Sequence, residues 1–374
     1  MKNILHVVNI YFVLPYFIGD QFKYFNEKGY SMNVVCSHSE YLADYAQKQG
    51  FEYIETPIKR SFSIKDDLGS IFNICKFIKK QHINIIVGHT PKGGLLAMLS
   101  GWLCKVPDRI YFRHGLVYET SHGFKRYILK TVDRITSLCA TQIVCVSSSV
   151  LRKSIDDKLA PAAKQKILGK GTCNGIDTQN RFNAANIDPL KVAELKKRYN
   201  LAEDDFVIGY SGRLVRDKGI VELVDAFNKL QNAENCKLLL VGMFEKRDAL
   251  PIEIQEQIKN NNRIIFTGFI NEGMEYYYSL MDVYVLASYR EGFPTGVLEA
   301  QAMEKPIITT QVTGCCDSIL AGETGLFATH DPNDLVQKID SIRLGGAIDG
   351  KKGRNWVVKN FDCRLIWREI EKLY

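Results

Sequence analysis

Short, continuous apolar runs alternate with longer amphipathic stretches along most of this 374-residue chain. In the first half the runs are Ile4–Ile10, Met32–Ser37, Asn84–His89, Arg109–Arg113 and Gln142–Ser147. They are apolar throughout rather than at every second position, as expected of strands covered on both faces. Between them, Asp20–Lys28, Leu68–Lys80, Gly93–Cys104 and Phe124–Leu138 repeat at helical spacing. Strand-helix alternation of this kind predicts a parallel, doubly wound sheet. Residues 169–205 break the pattern with Gly169, Gly171, Asn174-Gly175 and Asp188-Pro189 around one helical stretch, Leu190–Tyr199. The alternation then restarts with Phe206–Tyr210, Lys237–Gly242, Arg263–Gly268, Val283–Ala287, Pro306–Thr310 and Thr324–Phe327. The expectation is an α/β chain of two Rossmann-like domains, residues 1–170 and 201–360, joined by residues 171–200. A terminal helix over 361–374, carrying Trp367 and Leu373, is expected to pack back towards the first domain.

Composition changes the picture little, and charge changes it more. An apolar content of 46% and a charged content of 24% describe an ordinary globular protein. The ten cysteines show no C-x-x-C and no Cys/His spacing that suits zinc, so free thiols in a reducing compartment are expected. No run of 18 uncharged apolar residues exists to span a membrane. The apolar start, Ile4 to Ile18, is interrupted by His6, Asn9 and Pro15, which fits a buried strand better than a signal peptide. Residues 1–170 hold 24 Lys+Arg against 13 Asp+Glu, a net of +11, and the remainder is net −4. A basic first half suits an anionic membrane surface or a phosphorylated lipid, with exposed aromatics such as Tyr11, Phe12, Tyr16 and Phe17 expected to assist docking. No helix-turn-helix, zinc-finger or RNA-platform motif supports nucleic acid as a partner. Neither half shows G-x-G-x-x-G after a first strand, which disfavours a dinucleotide-dependent dehydrogenase.

Two segments carry candidate chemistry. In Gly209-Tyr210-Ser211-Gly212-Arg213-Leu214 a strand ends in a turn, and Lys218-Gly219 follows just before a helix. A guanidinium and an ammonium beside a helix N-terminus make a pyrophosphate site. About eighty residues on, Arg290-Glu291-Gly292-Phe293-Pro294-Thr295-Gly296-Val297-Leu298-Glu299 sets two carboxylates eight positions apart across a turn that opens a helix. Glu299 would lie one turn inside that helix and face back towards its start, so both carboxylates can serve one site. Carboxylates suit sugar hydroxyls because each accepts two hydrogen bonds. In the first half, Arg113-His114-Gly115 and Gly88-His89-Thr90-Pro91-Lys92-Gly93-Gly94 each close a strand before a helix or turn.

These segments together resemble the retaining glycosyltransferases of family 4. Residues 290–299 look like that family's E-x7-E motif, and Ser211–Leu214 with Lys218-Gly219 look like its donor-diphosphate motif. Asn174-Gly175-Ile176-Asp177 and Ala321-Gly322-Glu323-Thr324-Gly325-Leu326 match further motifs in the expected order. The resemblance covers nearly the whole chain. It implies the GT-B fold, two facing Rossmann-like domains with a cleft between them, the first meeting acceptor and the second donor. It implies that Arg213 and Lys218 hold the donor diphosphate, that Glu299 binds ribose hydroxyls, and that Glu291 binds the donor sugar. Gly19, Gly212, Gly292, Phe293, Pro294, Thr295 and Gly296 would complete the donor site, and His114 would contact the sugar. Lys92 and Arg113 are candidates for acceptor binding. No metal or other cofactor is expected, since positive side chains and helix dipoles would do the electrostatic work.

Two departures bear on donor identity: Leu14-Pro15 stands where the family commonly has a glycine pair, and Cys316 where an arginine is frequent. The reading that follows is a retaining, metal-independent hexosyltransferase. It would take a nucleotide-linked sugar, with UDP the expected nucleotide, to a lipid-linked saccharide in capsule or O-antigen synthesis. The expected place is the cytoplasmic face of the membrane. A non-catalytic sugar-nucleotide-binding subunit on the same fold and a UDP-sugar 2-epimerase are the alternatives.

Overall fold

The computed structural model describes residues 2–59, 63–231, 233–346 and 348–374. The chain divides into two compact units, the first comprising Met1–Gly175 and Arg364–Tyr374, the second Ile176–Cys363. The stretch expected to join the domains therefore splits at Gly175, and the helix Pro189–Arg198 is counted with the second unit.

Seven parallel strands form the sheet of the first unit: β1 (Asn3–Val7), β2 (Ser31–Cys36), β3 (Glu52–Glu55), β4 (Ile85–Gly88), β5 (Asp108–Arg113), β6 (Gln142–Cys145) and β7 (Gln165–Lys166). Their order is β3-β2-β1-β4-β5-β6-β7, so the winding reverses between β1 and β4. Both faces of the sheet are covered. Ile4 and Val8 point to one apolar layer and Leu5 and Val7 to the other. β3 and β7 were not visible as apolar runs because they are sheet edges with polar faces, Glu52-Tyr53-Ile54-Glu55 and Gln165-Lys166. β1 is shorter than its apolar run. Beyond Val7 the ladder to β2 ends, and Leu14–Phe17 forms a short helix with Pro15 in its first turn. The terminal helix Cys363–Glu371 lays Ile366 and Ile370 onto the first of these layers. It is pinned there by Lys28 to Glu371 at 2.5 Å and by the Trp367 indole N–H to Asn174 Oδ1 at 2.9 Å.

The second unit carries six parallel strands: β8 (Phe206–Ser211), β9 (Cys236–Val241), β10 (Ile264–Gly268), β11 (Val283–Leu286), β12 (Ile307–Thr310) and β13 (Gly325–Ala328). Their order, β10-β9-β8-β11-β12-β13, reverses between β8 and β11. In open parallel sheets ligands bind beyond the carboxyl ends of the strands at such a reversal. Residues 211–219 and 287–299 both leave the sheet of the second unit there.

Candidate active site

The site in the second unit is built from the ends of β8 and β11. Past Ser211 the chain turns through Gly212, whose N–H donates to Val241 O at 2.9 Å. The Tyr210 hydroxyl donates to Arg213 O at 2.8 Å and fixes the next peptide. The Arg213 side chain projects outward and pairs with Glu245. Lys218 closes a single 3-10 turn, Arg216–Lys218, immediately before the helix Ile220–Lys229. Gly219 between them has φ +68°, and a Cβ there would sit 2.0 Å from Ala287 O. Only glycine lets this helix start press against the end of β11.

From β11 the chain runs through Ser288, wholly buried, whose hydroxyl donates to Asp217 O at 3.0 Å. Arg290 pairs with Asp217 at 2.7 Å, and the Asp217 N–H donates to Asp248 Oδ2 at 2.7 Å. These bonds hold the two loops together and bring the Lys218 ammonium directly onto the Glu291 carboxylate, both largely shielded. The helix Thr295–Ala302 begins at Pro294, which offers no side-chain cap, so its first-turn amides are not taken by one. Phe293 packs its ring 5.3 Å from that of Phe361. Gly292 and Pro294 are buried and Thr295 is half-buried.

Glu299 lies five residues into the helix and is held by a partner outside every motif. The Tyr278 hydroxyl donates to Glu299 Oε2 at 2.7 Å and lies 2.7 Å from Ser211 Oγ; Ser211 Oγ is in turn 3.2 Å from the Tyr284 hydroxyl. A Cβ at Gly296 would lie 2.5 Å from the Tyr284 hydroxyl oxygen and 3.0 Å from Ser211 Oγ. The glycine of the motif is thus what lets the helix settle onto this hydroxyl cluster. Burial pushes the Glu299 carboxyl up to about 7; the Tyr278 hydrogen bond and the Arg181 charge pull the other way, and Glu275 adds to the rise. Glu299 therefore titrates near neutrality. Tyr284 falls within the apolar run Val283–Ala287 and Tyr278 within a stretch that carries no motif, so neither gave a signal in the sequence.

In the first unit His114 follows β5, half-buried, with the Phe17 ring stacked on it at 3.8 Å and 8°. Its Nε2 lies 2.9 Å from His89 Nδ1. Burial lowers the His114 pKa to about 3, so the ring is neutral. Phe17 and Tyr11 are half-buried, the first by this stacking and the second against Tyr41 and Tyr45, so only Phe12 and Tyr16 of the expected aromatics are exposed. Gly19 sits in a tight turn against Pro15 O, within the first unit.

The two residues expected to meet the acceptor are placed otherwise. Arg113 is 0% exposed: it pairs with Asp133 at 2.6 Å and bonds to Ser154, Gln165 and Ser137 at 2.5 to 2.7 Å. It points under the sheet rather than past its edge, since it is still within β5. Lys92, on the first turn of the helix Pro91–Leu103, is 6% exposed and pairs with Asp67. A cavity of about 450 Å³ near Leu138, Gln142 and Lys164 lies at the amino end of β6, the opposite end of the strands from His114. Among the described residues, no cluster of three or more His, Cys, Asp or Glu side chains is arranged to hold a metal ion.

Two doubly wound α/β units, with cations and carboxylates gathered at the winding reversal of the second, define the GT-B class of glycosyltransferases. The comparisons agree. Residues 191–355 match the model of the glycosyl transferases group 1 family, and residues 4–147 that of the glycosyl transferase 4-like family. A capsular polysaccharide biosynthesis glycosyltransferase, CapM of Staphylococcus aureus, is 32% identical over 100% of this chain and 97% of its own length. A UDP-Gal:alpha-D-GlcNAc-diphosphoundecaprenol alpha-1,3-galactosyltransferase of Escherichia coli is 24% identical over 95% of this chain and 91% of its own. Among solved structures, Anabaena HepE in complex with UDP and glucose superposes with a TM-score of 0.81 at 18% identity, covering 100% of this chain and 98% of that one. The chain belongs to this glycosyltransferase family.

Proposed function

We propose that this glycosyltransferase transfers a sugar from a UDP-sugar, with retention at the anomeric carbon, to a hydroxyl of a lipid-linked saccharide in capsule or O-antigen type polysaccharide synthesis. The observation that carries the reading is the convergence, at one winding reversal, of the Lys218–Glu291 pair with Glu299 on its tyrosine cluster. The names of the Staphylococcus and Escherichia relatives support the lipid-linked acceptor and the polysaccharide setting.

In this reading the diphosphate competes with Glu291 for Lys218 and with Glu245 for Arg213. That frees the Glu291 carboxylate to accept hydrogen bonds from sugar hydroxyls. The first-turn amides of Thr295 and Gly296 face the phosphates at a helix N-terminus. Glu299 takes the ribose hydroxyls when ionised. Arg213, Lys218 and that helix supply the positive charge that stabilises the leaving diphosphate, so no metal ion is assigned a role. The acceptor hydroxyl attacks from the side of the leaving phosphate, which takes its proton, and no carboxylate forms a covalent sugar adduct, unlike the paired carboxylates of retaining glycosidases.

The acceptor's lipid calls for a membrane surface, and two helices of the first unit carry exposed apolar ridges that suit one. Along the helix Gly123–Cys139, Phe124 (77% exposed), Tyr127, Ile135 and Leu138 (78% exposed) stand out with Lys125 and Arg134. On the helix Ile64–Lys80, Ile64, Leu68 and Phe72 are exposed one turn apart, with Lys65, Lys76 and Lys79 beside them. Apolar ridges flanked by cations suit an anionic bilayer interface. No described helix is long and apolar enough to cross one.

Thermal unfolding with UDP, GDP and ADP tests the donor. A ligand at about 100 times its Kd adds roughly 2.7 kcal/mol of stability. A shift with UDP that Arg213→Ala abolishes supports the reading, and a shift with another nucleotide alone overturns the UDP assignment. Glu291→Gln should slow transfer without trapping a glycosyl-enzyme; a trapped adduct would refute the front-face route.

A further inference from the structure

Three histidines form a row beneath the carboxyl ends of β1, β4 and β5, neighbouring strands at the winding reversal of the first unit. His6 Nδ1 lies 3.0 Å from His89 Nε2, and His89 Nδ1 lies 2.9 Å from His114 Nε2. The rings are nearly parallel at the first step, 20° apart, and tilted by 37° at the second. His6 and His89 are buried, whereas His114 is half-buried. The His89 backbone is fixed on both sides: its N–H donates to Val7 O at 3.0 Å, and Thr90 after it adopts φ +63° while its hydroxyl caps the following helix. Holding a non-glycine residue in that region costs on the order of 1–3 kcal/mol and marks an over-determined turn.

A neutral imidazole has one N–H and one bare nitrogen. Burial keeps all three rings neutral. In a row of three neutral rings the hydrogen bonds must therefore all run the same way, and two arrangements exist. In one, Nδ1–H of His6 donates to His89, Nδ1–H of His89 donates to His114, and His114 is left with its own proton on Nδ1. In the other, the bonds run backwards, His114 Nδ1 is bare, and the row ends in a His6 Nε2–H. That His6 Nε2 is buried and has no hydrogen-bond partner among the described residues. An orphaned buried N–H forfeits a whole hydrogen bond and is rarer in protein interiors than an under-satisfied acceptor. In the first arrangement the same nitrogen is bare and likewise without a partner, so the direction is chosen on the greater rarity of a buried orphan N–H.

We propose that His6 and His89 are positioning residues that fix His114 as its Nδ1–H tautomer, so that the nitrogen His114 turns away from the row is a hydrogen-bond donor, suited to a hydroxyl or phosphate oxygen of a ligand and not to another donor. This rests on the reading of His114 as a substrate contact, but the tautomer itself exists without substrate. Packing alone does not call for an imidazole at position 6, because it shares the apolar face of Ile4 and Val8, where a leucine would satisfy the core.

The test is a ring nitrogen–proton correlation spectrum of ligand-free protein labelled at its seven histidines, assigned with His6→Leu and His114→Leu. The expected result is a protonated Nδ1 and a bare Nε2 on all three rings of the row. Protonated Nε2 on His114 overturns the proposal. In His89→Leu, His114 should pass to a mixture of tautomers. In His89→Asn, whose amide nitrogen stands near the place of Nδ1, the single Nδ1–H form should return. A His114 spectrum indifferent to both His89 variants also overturns it. If a variant fails to fold, the wild-type spectrum alone decides. None of these outcomes depends on transferase activity, so failure of the donor assignment is told apart from failure of the row.

Discussion

Tyr278→Phe probes the part of the site that no motif announced. The change keeps the buried ring and removes one oxygen, which lies 2.7 Å from Glu299 Oε2 and 2.7 Å from Ser211 Oγ. Ser211 retains the Tyr284 hydroxyl at 3.2 Å, so the cluster survives and the stability loss should stay near 1–2 kcal/mol. Glu299 loses a hydrogen bond to its charged form, worth about 1.5–3 kcal/mol. At 1.36 kcal/mol per pKa unit, its midpoint, already raised to about 7, moves up by about one to two further units. At pH 7 the ionised fraction falls from about a half to between about a tenth and a hundredth. If the carboxylate is what receives the ribose, UDP affinity at pH 7 falls about five- to fiftyfold and recovers towards pH 9. Titration calorimetry of UDP binding from pH 6 to 9, in wild type and variant, measures this; titration of UDP itself is common to both and cancels in the comparison. Coincident pH profiles would refute the reasoning. The same group makes a stability prediction. Between pH 4.5 and about 7 the folded chain holds a proton on Glu299 that the unfolded chain has lost, so stability falls as pH rises through this window, by about 3 kcal/mol in all.

Gly296→Ala should lower the melting temperature and weaken UDP binding together, because the new methyl would lie 2.5 Å from the Tyr284 hydroxyl oxygen; the overpacking should amount to about 1–3 kcal/mol by denaturant titration. Arg113→Met strands the Asp133 carboxylate in the interior and should destabilise the first unit by about 3–5 kcal/mol; a stable variant with a raised acceptor KM would contradict the structural role given to Arg113. Lys92→Ala should likewise lower stability, by loss of its pair with Asp67, and leave the acceptor KM unchanged; a selective rise in KM would return Lys92 to the acceptor site. Replacing Phe124 and Leu138 together by Asp should abolish flotation with anionic vesicles and leave turnover of a soluble acceptor analogue intact; undiminished flotation would remove this helix from membrane docking.

Both sheets were legible as continuous apolar runs, since a strand covered on both faces has no polar alternation to hide it. The edge strands β3 and β7 were not, because Glu52 and Glu55 bracket the first and Gln165-Lys166 reads as loop, whereas the edges β10 and β13 keep apolar residues. The donor-side motif was legible for a related reason. Gly212, Gly219 and Gly296 are places where backbone or helix must come close, and Arg213, Lys218, Glu291 and Glu299 are polar residues next to those glycines. Their chemistry is written in residue type and spacing.

The α/β alternation, the winding into two units and the set of charged groups at the carboxyl ends of β8 and β11 follow from residue pattern alone. The partner each group takes is set by the folded arrangement. Arg113 and His114 are adjacent in sequence, yet the last residue of β5 points under the sheet to Asp133 while the next leaves it to meet Phe17 and His89. Tyr278 and Tyr284 become the support of Glu299, and His6, which looked like an interruption of an apolar strand, becomes the end of a row of imidazoles. Such assignments depend on which way a side chain points from strands distant in sequence, and a one-residue shift reverses that direction. Local pattern carries the elements; the register between strands carries the site.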